Sequence, residues 1–191
     1  SKPKPPNPPL SPAGKTNPGG VVARPSVKPI GGKSGASSPN DSLARSQPIT
    51  LRVLADRSYG ATTNGHNRGA TGGDDAAAST DDGRQTFHGR SVWWHVAKRE
   101  NGEYPPEDDY ELQVDTHGSG IDTTLGVWLD DDGKLKPLGA NDNDRRQPGP
   151  ASAVRVRIPK LKLGKKLKIV LVVDGVNGAQ GQVRLNVRLK P

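Results

Sequence analysis

The chain has 191 residues, a net charge of +8 and 30% apolar content, and 42 of its residues are glycine or proline. Its length suits one domain plus a tail, with a core that is thin for the size. The absence of cysteine excludes disulfides and thiolate metal sites, and no apolar run nears the ~20 residues that span a bilayer as a helix.

Charge is laid down in blocks. Residues 1–40 hold six Lys or Arg and no acid, residues 41–144 have a net charge of −9, and residues 145–191 one of +11. Unlike blocks on one chain favour contact between them, within a copy or between copies. A start at Ser1, with no methionine, is expected of a chain processed before that point.

Residues 1–39 read as an extended Pro/Gly-rich arm, with ten of the eighteen prolines before residue 40. The first eighteen suit polyproline II. Val21–Ile30 is bracketed by glycine pairs and alternates: Val21, Ala23, Pro25, Val27 and Pro29 on one face, Arg24, Ser26 and Lys28 on the other. That is a half-buried strand whose prolines suit an edge or an inserted position. It is a candidate donor strand, with Val21, Val22, Ala23, Val27 and Ile30 as its anchors and 31–39 as a flexible linker.

Residues 40–191 read as the main domain. Ile49–Leu54 is expected as its first strand, and Tyr59–Gln85 as a long Gly/Thr/Asn/Asp connection whose end Phe87 anchors. Three strands follow in the aromatic-rich centre, at Val92–Lys98, Tyr110–Thr116 and Thr123–Leu129, holding Trp93, Trp94 and Trp128. Lys134–Leu138 suits a short strand. Beyond it, Val154/Val156/Ile158 alternate with Arg155/Arg157, and Leu161/Leu163 with Lys160/Lys162. Leu167–Val173 is nearly continuous apolar sequence, and Val183/Leu185/Val187/Leu189 alternate with Arg184/Asn186/Arg188. No segment has helical periodicity. Strict alternation with Gly-rich turns predicts an all-β antiparallel sandwich.

Candidate sites are sparse. His66, His88, His95 and His117 lack the spacing of a hydrolytic zinc site, and Ser119 is in no nucleophile elbow. With no phosphate or dinucleotide fingerprint either, the chain is read as non-enzymatic. Oxygen-rich residues gather at strand ends, and Asp115, Asp122, Asn141, Asp142 and Asp144 form a candidate structural calcium set. Calcium takes six to eight oxygens from such loops. The competing role for Asp115 and Asp122 is to tie turns to backbone N–H groups. No other cofactor is expected. Arg155, Arg157, Lys160, Lys162, Arg184 and Arg188 would make a basic sheet face. Aromatic stacking partners are missing there, which counts against nucleic acid. A solvated face, anionic polysaccharide or the acidic middle of another copy fit it better. Asn40-Asp41-Ser42 is an N-glycosylation sequon, and the Ser/Thr/Pro-rich tail has the composition of O-glycan sites.

Several stretches recur in a fixed order: Asn40-Asp41-Ser42-Leu43-Ala44, Asn67-Arg68-Gly69-Ala70-Thr71, Ser91-Val92-Trp93-Trp94, Asp115 through Leu125, Asn141-Asp142-Asn143-Asp144, and Val173-Asp174-Gly175 with Gly178 and Gly181. Together they resemble the bacterial pre-peptidase C-terminal (PPC) domain over about residues 40–190. Gly72–Ala78 departs from the acidic, Pro-containing run usual after Gly-Ala-Thr. The resemblance implies a jelly-roll-like sandwich on a secreted or cell-surface protein.

Two functions follow as expectations. In the first, the chain is an extracellular structural subunit, a homo-oligomer polymerised head-to-tail by adding Val21–Ile30 to the next copy's sheet. In the second, it is a module of a secreted enzyme that binds polysaccharide or protein through an exposed Trp93, Trp94 or Trp128.

Overall fold

The computed structural model describes residues 38–72, 87, 89–97, 109–144, 149–158 and 167–191. The anchors Val21, Val22, Ala23, Val27 and Ile30 lie outside these residues, as do linker residues 31–37 and Leu161–Leu163. The chain divides into two units, Ser1–Lys33 and Ser34–Pro191, and every described residue is in the second. Ser38 is already fully buried there, so the sandwich begins before Asn40, the residue at which it is expected from the sequence.

The described residues form ten strands: β1 (Gln47–Ile49), β2 (Arg52–Val53), β3 (Tyr59–His66), β4 (Val92–Val96), β5 (Tyr110–Asp115), β6 (Thr123–Asp131), β7 (Lys134–Asn141), β8 (Ala153–Ile158), β9 (Leu167–Gly175) and β10 (Gln182–Lys190). They form two five-stranded sheets, a first in the order β1-β4-β9-β6-β7 and a second in the order β2-β3-β10-β5-β8. Pairing is antiparallel except between β1 and β4, which run parallel from Gln47 opposite Trp94 to Ile49 opposite Val96. The sheets are therefore not wholly antiparallel, as the alternation suggests.

Alternation explains the layering. Leu112 and Val114 of β5, Val183 to Leu189 of β10, and Val154 and Ile158 of β8 point inward from the second sheet. They meet Val92, Trp94, Val96, Leu125, Val127, Ile169, Leu171 and Val173 from the first. β9 is buried on both faces, which is why its sequence is nearly continuous apolar residues rather than an alternation. Its second face joins Trp93 and Trp128 under Phe87 in a smaller cluster made of Phe87, Trp93, Trp128, Val170 and Val172, with Leu43 and Leu135 at its margin.

Two strand boundaries correct the sequence reading. Ile49–Leu54 is not one strand: the chain passes from one sheet to the other between Ile49 and Arg52, and Val53 is exposed. Tyr59–His66, expected within a connection, is a full strand paired along its length with β10, from Tyr59 opposite Leu189 to His66 opposite Gln182.

Candidate docking edge and polar face

A sandwich has four sheet edges, and each exposes backbone groups that can pair with another chain unless something blunts it. In the first sheet, β1 is three residues long and carries Pro48, which has no N–H to offer. β7 carries Pro137, with exposed Lys134 and Lys136 just before it. In the second sheet, β8 is covered at its start. Asn141 Nδ2 donates to the Ala153 carbonyl at 3.1 Å, the Asp144 N–H to that of Ala151 at 2.8 Å, and Gly139 lies against Val154 and Val156.

The fourth edge differs. β2 covers β3 only at Arg52 opposite Gly60 and Val53 opposite Tyr59. From Ala61 onward β3 pairs with β10 alone among the described residues, and Ala61-Thr62-Thr63-Asn64-Gly65 contains neither proline nor charge. Its inward positions are small. Ala61, Thr63 and Gly65 are each half-buried, and Ala61 packs on the main core. Beneath Gly65 lies the indole of Trp94, whose Nε1 is buried with no acceptor among the described residues. At the near end of β2, Val53 and Leu54 are the exposed large apolar side chains of the described residues, at 66% and 39%. At the far end, Ser38 Oγ donates to the His66 carbonyl at 2.8 Å, so the chain enters the sandwich at the terminus of this same edge.

The outer face of the second sheet is polar. It carries the expected arginines, but acids are threaded between them. Arg155 lies 3.9 Å from Glu111, Arg157 3.2 Å from Asp109, and Arg188 pairs with Asp56. A uniformly basic face is thus not what β8 and β10 present, because β5 places carboxylates between them. Ser58 and Arg188 hold the exposed Asp56 carboxyl below its ordinary range, the hydroxyl of Ser58 acting most strongly. Over β2, β3, β10 and β5 runs an open groove of about 410 Å³, walled by Leu54 and Gly60 and floored by Thr62, Gln113, Asp115 and Asn186.

The candidate calcium residues fall into three groups. Asp115 and Asp144 are joined through His117, whose Nδ1 is 3.0 Å from Asp115 Oδ1 and whose Nε2 is 3.3 Å from Asp144 Oδ2. Asn141 and Asp142 accept hydrogen bonds from Asn143, at 3.0 Å each. Asp122 is exposed, and its carbonyl accepts from the Val176 N–H at 3.0 Å. Among the described residues no three or more His, Asp or Glu are arranged to hold a metal ion.

Asn40 is 2% exposed, and its Nδ2 donates to the Trp93 carbonyl at 3.0 Å, which leaves no room for a sugar on that nitrogen in the folded domain. An exposed tryptophan platform is also ruled out. Trp93, Trp94 and Trp128 are 0%, 1% and 2% exposed, because the second cluster covers the face that would otherwise be wet.

Sequence reasoning passes over Asn67, which the structure shows to be a structural linchpin. Buried Asn67 donates from Nδ2 to the Ala179 carbonyl and accepts at Oδ1 from the Gly181 N–H, both at 2.8 Å. A second knot lies at the other side of the β10 turn. Thr116 Oγ1 is 2.6 Å from Thr123 Oγ1 and accepts from the Ser152 N–H at 2.8 Å. No family model, no curated protein and no solved structure matches this chain.

Proposed function

We propose that the protein is a non-enzymatic extracellular structural subunit, a PPC-like jelly roll. It polymerises head-to-tail when Val21–Ile30 of one copy adds as a strand to β3 of the next. The observation that carries this reading is the edge from Ala61 to Gly65, which no described strand covers, beside three edges that are short, proline-bearing or covered. Strand addition draws affinity from backbone hydrogen bonds and specificity from alternate side chains. The inward residues of the edge, Ala61, Thr63 and Gly65, are small, and one face of the donor would bring Val21, Ala23 and Val27 beside them while Val22 and Ile30 fall on the other. The open stretch is about 17 Å long at ~3.3 Å per residue, which a ten-residue donor more than covers. A head-to-tail contact that does not close produces a fibre.

The test uses two full-length variants. Thr63→Lys puts an inward-pointing charge under the acceptor edge, a device by which edges are kept from pairing. Val27→Asp spoils the donor. Wild type should lengthen with concentration in sedimentation velocity and show fibres by electron microscopy, while each variant alone stays monomeric. Mixed, the two should form dimers only, since one good donor meets one good acceptor. Monomers in all four samples would mean the strand docks on its own copy or not at all, and would end this proposal.

A further inference from the structure

The groove on the outer face of the second sheet has unspent hydrogen-bonding capacity. Several of its donors hold internal bonds. Thr62 Oγ1 donates to Asn186 Oδ1 at 3.0 Å, and Asn186 Nδ2 donates to Asp115 Oδ1 at 2.7 Å and to the His117 carbonyl at 3.1 Å. Arg188 is occupied by Asp56 and by Ser58 Oγ. Gln113 Nε2 donates to Glu111. On the groove floor, acceptors are left. Asp115 takes its bonds on Oδ1, from Asn186 and from the His117 N–H, so Oδ2 has no donor among the described residues. Thr62 Oγ1 and Gln113 Oε1 accept nothing there either.

We infer that this groove binds a neutral, hydroxyl-rich glycan segment. Hydroxyls donate to Asp115 Oδ2, Thr62 Oγ1 and Gln113 Oε1, and a C–H face of the sugar lies on Leu54, which is 39% exposed and leans over Gly60. Charge argues against an anion: Asp115 is on the floor of the groove, and Arg188 is already paired with Asp56. The volume, about 410 Å³, is within the range of small-ligand clefts, about 300–1,000 Å³. The lining shares Ala61 and Thr62 with the β3 edge, but the side chains that would meet the glycan are on the outer face, and binding does not need a polymer.

The full-length chain would be run through native gels containing dextran, mannan, xylan, alginate or polygalacturonate, with cellohexaose titrated by NMR on ¹⁵N-labelled protein. At least one neutral glycan should retard the protein or shift the Gln113 and Asn186 side-chain amides. Gln113→Ala and Thr62→Val, both at solvent-facing positions, should weaken binding about fivefold each, the cost of one lost hydrogen bond. Thr63→Lys should leave binding unchanged. Binding by none of the neutral glycans, by the acidic ones alone, or equally by both groove variants would overturn the assignment. So would loss of binding in Thr63→Lys, which would hand the groove to the docked strand.

Discussion

Gly65 of β3 lies directly over the indole of Trp94 across the sandwich: a Cβ there would stand 3.0 Å from Trp94 Cζ2. The glycine is what lets the largest inward side chain of the first sheet reach the second. Gly65→Val should therefore overpack the core and lower stability by about 1–3 kcal/mol. Urea unfolding followed by tryptophan fluorescence would show a lower midpoint with an unchanged slope. An unmoved midpoint would mean that the two sheets separate freely at this edge.

Gly175 is under a harder constraint. A Cβ there would stand 1.9 Å from the Ala179 carbonyl oxygen, a backbone atom held by the Val176–Gly178 turn. Gly175→Ala should cost at least the upper end of the ~1–3 kcal/mol of ordinary overpacking. Gly178, at φ +77° with nothing near its Cβ position, should lose only about 1–2 kcal/mol on the same change, the cost of a left-handed alanine. Thermal midpoints of the two variants should fall in that order, and the reverse order would refute the steric account.

Asn67→Ala removes both partners of the loop before β10. The Gly181 N–H and Ala179 carbonyl lose their bonds to the side chain, at about 1–3 kcal/mol per unsatisfied buried group and about 2–6 kcal/mol together. Amide exchange at Gly181 should accelerate more than exchange in β5. Equal effects on both would assign the loss to general loosening.

His95 gives stability a pH dependence. Burial first, then the charge of Lys168, pushes its imidazole below the ordinary 6.5, against a hydrogen bond with Ser46 that acts the other way. The unfolded chain therefore takes up the proton before the folded one. The contribution is whole above pH 6.5, is lost as the pH falls from there to the folded value, and levels off below it. Urea midpoints should decline over that window in wild type and decline less in His95→Gln. Parallel declines would place the titrating group elsewhere.

How far the sequence discloses this fold depends on whether a residue's surroundings are local. β10 and β5 are legible because each has one dry face and one wet one, so Val183 to Leu189 and Leu112/Val114 alternate cleanly. β3 is not, because an edge strand over a tryptophan needs small residues, and Gly60, Gly65 and Asn64 read as turn. The Trp93–Trp94 pair suggests one ring in and one out. Both are buried, since Phe87 from just upstream and Leu43 from distant sequence cover the second. The open edge is a relation among four strands, and the groove is a matter of which lone pairs are already taken. Neither has a linear signature.

Around β4, β9 and β6 both sides of the first sheet are dry, and so is the inner side of the second. β9 is walled in front and behind and flanked by β4 and β6, which makes it the spine of the molecule. Under heat or tension, failure should start in the layer that has water at its back, with β3 amides leaking through small openings. The β9 amides should hold until the whole body gives way, so their exchange rate measures its global stability.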